Sequence, residues 1–349
     1  MIILIVLLLI LYLKFFKDKI KKLRLKNKLK KQLLDENPEG RNKTKNKFKK
    51  ILFGKTGSSG LIMKSIVYAL LVIIGFIYLY PLLYMLVTSF KCDNDLMDTS
   101  IKWIPSMLDF QNYKTAFESL NLKVSFFKTL IVVGIPSLLN TIVAMFTAYG
   151  FSRFKFPGKK ILFGLMLATF FIPAALTKIP QFVWYTKMNL IGSIMTYIIP
   201  STFGQGLNEA LFILILYSMF NQIPKQLEEA AKIDGASSLG VFFRVAVPLV
   251  IPGIITVFLF SFVWYWNDSA TAAMYLGRAG KDNWATIPVM LERYQNEIIS
   301  ITNGGIGMQL YQGEKMSATL LSITPLLILY FFLQKFFVKS IENSGITGE

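Results

Sequence analysis

The stretch IPKQLEEAAKIDGASSLGVFFRVAVP, residues 223–248, lies between two long apolar segments and decides how the chain is organised. Pro224 can open a helix, and the Glu-Glu-Ala-Ala run after it has high helix propensity, with acids near the N-terminal end of the helix dipole. Asp234-Gly235 ends that helix, and a second short helix is expected over residues 237–248. The stretch therefore predicts a helix, a turn and a helix.

An apolar side is expected on this helix pair, formed by Leu227, Ala230, Ala231, Leu239, Phe242 and Phe243. Small alanines beside an acid suit a helix that enters a groove on a partner protein. The alternative interpretation is a plain amphipathic loop that rests on the lipid surface.

Composition assigns the chain to the membrane class. Its 349 residues are 54% hydrophobic and 17% charged, whereas soluble domains have about 25% charged residues. The chain has no histidine, and Cys92 is its one cysteine. This excludes an internal disulfide, Cys-rich metal sites and His-based acid–base catalysis, and no dyad for an intramembrane enzyme can be assembled.

Six apolar segments are long enough to be read as membrane spans of an all-α polytopic protein. They cover Ile66–Phe90, Phe126–Phe151, Ile161–Leu176, Tyr197–Phe220, Leu249–Trp266 and Ala318–Val338. A shorter apolar leader, residues 1–13, is either an extra N-terminal membrane helix or an interfacial anchor. A short amphipathic helix is expected over Pro180–Asn189.

Positive charge is concentrated in an N-terminal arm. Residues 14–60 hold 17 Lys and Arg against four acids, which suits a solvated arm beside anionic lipid better than a nucleic-acid-binding arm. With this arm inside the cell, the inner connections hold 27 basic residues and the outer ones nine. The positive-inside rule then predicts a cytoplasmic C-terminus. We divide the chain into residues 1–60, leader and arm, and residues 61–349, the membrane domain.

Two short motifs carry little weight. Gly54-Lys55-Thr56 resembles the end of a phosphate-binding loop, but Lys49 stands where that loop needs glycine, so ATP binding by this chain is not expected. Asn42-Lys43-Thr44 fits the glycosylation pattern within the predicted cytoplasmic arm and is treated as chance.

Polar residues interrupt the fourth predicted span, where Gln205, Asn208 and Glu209 follow Pro200 and Gly204. Proline and glycine predict a broken helix, which is tolerated at that depth only where protein or water covers it. A lone acid near mid-bilayer costs about 2.5–3.5 kcal/mol, so Glu209 is expected to face the bundle interior. Two roles stay open for it: lining a translocation path with Gln205 and Asn208, or a structural hydrogen bond between helices.

Five aromatic residues are expected to anchor the chain at the membrane interfaces, with sugar stacking as the alternative. They are Trp184, Tyr185, Trp264, Tyr265 and Trp266.

A secondary transporter would need charged coupling-ion sites in several spans, and Glu209 alone qualifies.

The stretch over residues 223–248 resembles the EAA loop of the membrane subunits of bacterial ABC importers. The resemblance rests on Glu229-Ala230-Ala231, Gly235, Val245 and Val247-Pro248 in that spacing. The carbohydrate branch is matched by Lys232-Ile233-Asp234-Gly235-Ala236, Tyr80-Pro81-Leu82-Leu83, Ser89-Phe90-Lys91, Trp103-Ile104-Pro105, Asn112-Tyr113, Trp266-Asn267-Asp268 and Gln334-Lys335-Phe336-Phe337-Val338-Lys339. The N-terminal arm and the long glycine-containing loop before the last span depart from the usual pattern.

The resemblance implies a permease subunit of a sugar importer in the bacterial cytoplasmic membrane, similar to the inner subunits of maltose-type systems. Implied partners are a homologous permease, two ATPase subunits that bind the ATP, an extracytoplasmic solute-binding protein and a sugar. The residues implied to dock on the ATPase are Glu229, Ala230, Ala231, Asp234, Gly235 and Pro248. Glu228 is expected to be a solvated charge.

Overall fold

The computed structural model describes residues 61–98, 100, 103–277, 284–303 and 306–345. The predictions made for the leader, the basic arm and Gly54-Lys55-Thr56 lie outside these residues. The chain divides between Pro81 and Leu82 into two units. In the first unit, residues 61–81 are helical, and most of their side chains are apolar and exposed.

Every regular element in the described ranges is helical. In chain order the α-helices are α1 (Leu61–Thr88), α2 (Asp93–Met97), α3 (Gln111–Ser119), α4 (Leu122–Arg153), α5 (Lys159–Phe170), α6 (Ala174–Lys187), α7 (Met195–Thr202), α8 (Glu209–Gln222), α9 (Lys225–Ile233), α10 (Ser238–Val241), α11 (Val247–Asn267), α12 (Ser269–Leu276), α13 (Ile287–Thr302) and α14 (Gln312–Gly345). A π-helical turn, Phe242–Ala246, joins α10 to α11, and a 3₁₀ turn, Ile306–Gln309, precedes α14.

Four described helical segments are long and apolar enough to cross a bilayer, which takes about 20 residues. They are Leu61–Thr88, Leu122–Arg153, Ser238–Asn267 and Gln312–Phe336. These correspond to the first, second, fifth and sixth predicted spans, and they confirm an all-α, multi-pass membrane architecture.

The two other predicted spans are interrupted helices. Where one span was predicted over Ile161–Leu176, α5 ends at Phe170 and α6 begins at Ala174, so the predicted amphipathic helix starts earlier than Pro180. Where one span was predicted over Tyr197–Phe220, α7 and α8 are separated by residues 203–208. The break in the second case is the one that Pro200 and Gly204 predict, and Gly204 has a φ of +72°.

Helix α4 lies at the centre of the second unit and packs against α7, α8 and α11. Small residues allow close approach on its buried side, where Ala144 and Ala148 are fully buried. The C-terminal half of α4 belongs to a buried apolar cluster that includes Phe212 and Phe220 of α8. Lipid is as apolar as these side chains, so close van der Waals packing, rather than transfer out of water, holds α4 against α8.

The other end of the unit is closed by α3, α13 and the first turns of α14. The Asn112 side chain of α3 donates to the carbonyl oxygens of Ser89 at 3.1 Å and Lys91 at 2.9 Å. The Ile287 N–H of α13 donates to Thr129 Oγ1 of α4 at 2.8 Å. These buried bonds hold the connecting segments on the helix bundle.

Candidate functional site

Helix α9 ends in a turn that favours glycine. Gly235 has a φ of +85°, a left-handed conformation in which a β-carbon is strained. Its N–H donates to the Lys232 carbonyl at 3.0 Å, and the Ala236 N–H donates to the Ala231 carbonyl at 2.9 Å. This pair of bonds is the Schellman pattern, and it confirms that the first predicted helix stops at Asp234-Gly235.

The second helix of the pair is continuous with a membrane span. Ser237 caps α10 by accepting the Gly240 N–H at 3.1 Å. The chain then passes through the π-helical turn into α11, so the expected end of a short helix at Pro248 is wrong. Pro248 does not end the helix, since it follows the π-helical turn directly and lies in the first turn of α11, where proline is tolerated.

Most residues predicted to contact a partner lie on the surface of the α9–α10 pair. Glu229, Ala230, Asp234, Gly235 and Pro248 are exposed, and Ala231 is half-buried. Two apolar side chains are also open to the surroundings, with Ile233 87% and Leu239 65% exposed. Phe242, expected on the same apolar side, is buried instead. Exposed apolar residues beside an acid form a surface suited to protein contact.

Glu228 is not a solvated charge, so that prediction is wrong. It is 5% exposed, and its Oε1 accepts from Arg153 Nε at 2.7 Å. The Tyr149 hydroxyl donates to the other carboxylate oxygen at 3.4 Å, and Arg153 Nη2 donates to the Ile223 carbonyl at 2.8 Å. Glu228 is one position from Glu229, which turns it about 100° around α9 and toward α4.

A non-helical segment, residues 203–208, joins the two halves of the interrupted fourth span. Asn140 of α4 donates to the Leu207 carbonyl at 3.1 Å, and the Leu207 N–H donates to the Tyr265 hydroxyl at 3.2 Å. The same hydroxyl is 2.6 Å from Ser201 Oγ. Non-helical backbone within a membrane span needs such partners, because lipid offers none.

This segment forms one wall of a cavity of about 450 Å³. Gln205, Asn208 and Glu209 all line it, so the structure brings the three candidate path residues together. The other lining residues are Met166, Thr169, Phe170, Ile172, Thr177, Lys178, Gln181, Gly204, Gly206, Leu207, Ala210, Ile213 and Thr271.

Glu209 is the acidic residue in the wall of this cavity. It is 4% exposed, and among the described residues neither carboxylate oxygen has a hydrogen-bond partner. As the first residue of α8 it lies at the positive end of the helix dipole, which stabilises a carboxylate by about 0.3–1 kcal/mol. Among the described residues, the expected hydrogen bond from Glu209 to a neighbouring helix is not formed.

Two of the expected interface anchors are in the core. Tyr265 is 5% and Trp266 2% exposed, so the interface prediction is wrong for both. The Tyr265 side chain points into the core, where its hydroxyl accepts the Leu207 N–H of the 203–208 segment. Trp184 of α6 is 65% exposed, which fits either an interface anchor or a stacking platform.

The sequence does not mark Asn140, Arg153 and Glu228 as site residues, and it marks Tyr265 only as an interface anchor or a sugar-stacking residue. Asn140 carried a usable signal, since a lone amide within an apolar span is expected to face the bundle interior. Arg153 and Glu228 gave none, because each reads as an ordinary charge at a helix end. Within the described ranges no group of three or more Asp, Glu or Cys is placed to hold a metal ion.

Long apolar helices, an interrupted span around a polar cavity and an exposed helix pair between two spans define a multi-pass membrane transport protein. Residues 140–343 match the family of binding-protein-dependent transport system inner membrane components. The match spans more than half of the chain, which belongs to this family.

Relatives cover most of this chain. The polygalacturonan/rhamnogalacturonan transport system permease protein of Bacillus subtilis (strain 168) is 29% identical over 296 residues, 81% of this chain and 97% of that protein. The diacetylchitobiose uptake system permease protein of Streptomyces coelicolor (strain ATCC BAA-471 / A3(2) / M145) is 27% identical over 286 residues, 80% of this chain and 87% of that protein.

One solved structure has a similar fold. It is the crystal structure of a bacterial ABC transporter involved in the import of the acidic polysaccharide alginate. The TM-score is 0.63 at 22% sequence identity, with 79% of this chain and 96% of that chain covered.

Proposed function

We propose that the chain is a permease subunit of an ATP-driven, binding-protein-dependent importer of sugars or oligosaccharides. The observation that carries the proposal is the exposed α9–α10 pair between α8 and α11. It presents Glu229 and Ile233 beside a glycine-dependent turn, which suits docking into a groove on an ATPase subunit. ATP would be hydrolysed on two such partner subunits.

Sugar as the transported class is supported by the relatives, whose names specify polygalacturonan, rhamnogalacturonan and diacetylchitobiose. Gln205, Asn208 and Glu209 are proposed to border the translocation path. Amide and carboxylate groups exchange hydrogen bonds with hydroxyls, and the cavity volume lies within the range of about 300–1,000 Å³ typical of small-molecule sites. A homologous second permease would complete the path.

Motion of the docked helix pair would reach the bundle by two routes. Helix α9 is bonded to the end of α4 through Arg153 and Glu228, and α10 continues through the π-helical turn into α11. A displacement at the ATPase therefore acts on α4 and α11 together, the two helices that hold residues 203–208 in place. Such rigid-body transfer is a common form of alternating access.

We infer the orientation of the chain in the membrane from the distribution of its basic residues. The basic residues in the arm, in the α4–α5 turn and in the α9–α10 segment support a cytoplasmic location for these parts and for the C-terminus, by the positive-inside rule. The opposite side would then receive an extracytoplasmic solute-binding protein.

The test is Gly235→Val, measured in the assembled complex. A β-branched residue at a φ of +85° is strained by about 1–3 kcal/mol, so the turn should distort while the spans still insert. Membrane levels should stay normal, whereas sugar uptake and binding-protein-stimulated ATP hydrolysis should fall. Glu229→Ala should act in the same direction.

Gly235→Asn is the matched control, because asparagine tolerates the left-handed region better than valine. It should retain most of the coupling. Wild-type uptake together with wild-type stimulation of ATP hydrolysis in Gly235→Val would contradict the proposal.

A further inference from the structure

The turn between α4 and α5 contains an open cleft with a basic lining. The volume of the cleft is about 520 Å³, and three of its six lining residues are lysines. The lining consists of Lys155, Phe156, Gly158, Lys159, Lys160 and Ile161. Cationic and apolar groups therefore share one cleft.

Neighbouring acids do not balance the positive charge of this cleft. Residues 119–208 contain no Asp or Glu. Glu228, which α9 brings to the end of α4, is already paired with Arg153 at 2.7 Å. Among the described residues none of the three cleft lysines forms an ion pair, and Lys159 Nζ donates to the Phe154 carbonyl at 3.1 Å. The positive end of the α5 dipole adds to these charges, so the cleft favours an anion.

Aromatic packing fixes the backbone that carries these lysines. The ring of Phe156 lies 5.9 Å from that of Phe151 in α4, and the ring of Phe163 in α5 lies 5.4 Å from the same Phe151 ring. Gly158 has a φ of +74°, which allows the sharp turn into α5. Because the backbone is held before any ligand binds, little ordering entropy opposes binding at this cleft.

An exposed apolar strip on α5 begins at the cleft. Ile161, Leu162 and Leu165 are each at least 50% exposed, and their spacing of three and four residues places them on one side of the helix. Ile161 also lines the cleft itself. A phospholipid has the matching arrangement, with a phosphate at one end and a hydrocarbon chain beyond it.

We propose that this cleft binds the headgroup phosphate of an anionic phospholipid, whose acyl chain lies along the apolar strip of α5. The lysines contact the headgroup and the strip contacts the chain, so neither part of the lipid alone fills the site. The inference goes beyond the transport function, because lipid binding needs neither ATP nor sugar. The cleft adjoins the end of α4, where Arg153 holds α9 through Glu228, so bound lipid stabilises this junction.

The experiment is photo-crosslinking with a phosphatidylglycerol that carries a diazirine in its acyl chain near the headgroup. The full-length chain, purified in a neutral detergent in complex with its second permease and ATPase subunits, is irradiated with this probe. Mass spectrometry measures labelling of residues 154–165. Unmodified phosphatidylglycerol, phosphatidylcholine with the same acyl chains and inorganic phosphate are added as competitors in separate samples.

Phosphatidylglycerol should compete at least about tenfold better than phosphatidylcholine, because its headgroup has a net negative charge and the other headgroup is neutral. Inorganic phosphate should compete weakly, since it has no hydrocarbon chain to cover the strip. Equal competition by the two lipids would overturn the inference, and so would an absence of labelling at residues 154–165. Phosphate that competes as well as phosphatidylglycerol would show a site for free phosphate instead.

The variant Lys155→Gln with Lys160→Gln removes two exposed charges from the cleft. Each lysine beside an anionic headgroup contributes about fivefold in affinity, so this variant should bind phosphatidylglycerol at least about tenfold more weakly. Lys155→Arg with Lys160→Arg keeps the charge and should bind like the wild type. Lys114→Gln with Lys123→Gln, the same loss of two exposed charges in α3 and α4, should also bind normally. Wild-type affinity in the first variant would overturn the role of the lysines.

Thermal midpoints give a second measurement of the same site. The midpoint of the wild-type complex should be higher in phosphatidylglycerol than in phosphatidylcholine, and the difference should shrink in Lys155→Gln with Lys160→Gln. An equal difference in both proteins would contradict binding at this cleft.

ATP-dependent sugar uptake, measured in parallel, separates the two proposals. Loss of uptake in the wild-type complex would count against the transport function and would leave the lipid binding as measured. Normal uptake without charge-selective labelling of residues 154–165 would overturn the lipid site alone.

Discussion

Arg153 at the end of α4 and Glu228 in α9 form an ion pair of 2.7 Å in which each side chain is only 7% exposed. The pair joins a membrane-spanning helix to the exposed helix that follows α8. Glu228 therefore faces inward while Glu229, its neighbour, faces outward. Glu228 therefore fixes α9 to the helix bundle, whereas the exposed Glu229 can contact a partner protein.

Glu228→Ala should destabilise the chain markedly. Removal of one partner from a buried pair leaves an uncompensated charge and costs about 3–5 kcal/mol. The thermal midpoint of the purified protein should fall, and Arg153→Ala should have a similar effect. Glu229→Ala, a change of an exposed acid, should alter stability by no more than about 0.5 kcal/mol.

The double variant Arg153→Met with Glu228→Leu tests whether the loss comes from the unpaired charge. Replacing a buried ion pair by apolar residues of similar size is often close to neutral, so the double variant should be more stable than either single alanine variant. A double variant as unstable as the sum of the two singles would contradict this account.

Gly206→Ala should disturb the segment between α7 and α8. A β-carbon at Gly206 would lie 2.1 Å from Asn140 Oδ1 and 3.0 Å from the Tyr265 hydroxyl. Asn140 is fully buried and bonded to Leu207, so it has little room to move. Overpacking of this kind costs about 1–3 kcal/mol, measurable as a lower thermal midpoint.

Gly164→Ala is the control for that change. Gly164 lies within α5, and nothing stands within 4 Å of its would-be β-carbon. Alanine there should leave the thermal midpoint unchanged or raise it, because alanine is the better helix former. Equal losses in Gly164→Ala and Gly206→Ala would remove the steric explanation.

The sequence predicts features that arise within a few residues of each other. The turn at Gly235 and the break between Pro200 and Glu209 depend on local backbone preferences, so the sequence alone locates both. The four long spans follow in the same way from the length of their apolar runs.

Long-range pairing is what the sequence does not reveal. Arg153 and Glu228 are 75 positions apart, and Asn140 and Leu207 are 67 apart. Each residue alone has an ordinary local interpretation, and only the packing of α4 against α8 and α11 brings the partners together. The error over Tyr265 has the same origin, since its hydroxyl partners, Ser201 in α7 and the Leu207 N–H in the 203–208 segment, lie 64 and 58 positions away.

Asp95 gives a pH-dependent contribution to stability. Its carboxylate accepts from Ser106 Oγ at 2.5 Å and from the Ser106 N–H at 2.8 Å, and these bonds hold its pKa below the ordinary value. A lowered folded-state pKa stabilises the fold above the unfolded pKa, and this contribution is lost as the pH falls through the folded value. Wild type should therefore lose its stability advantage over Ser106→Ala below about pH 4.

Thermal midpoints of wild type and Ser106→Ala, measured from neutral to acid pH, check this sign. The difference between the two proteins should be constant above the unfolded pKa and should shrink on acidification. A difference that grows toward acid pH would show that the bond to Ser106 does not favour the ionised carboxylate.

The orientation of the chain can be tested with single cysteines in a Cys92→Ser background. Ile104 is 83% exposed and follows α2 on the predicted outer side, whereas Lys155 is exposed in the α4–α5 turn on the predicted inner side. The positive-inside rule requires the turn that contains Lys155 to be cytoplasmic. A membrane-impermeant maleimide should therefore label Ile104→Cys in intact cells, and Lys155→Cys only after permeabilisation. Ser58→Cys, in the basic arm, should behave like Lys155→Cys, and labelling of either in intact cells would overturn the topology.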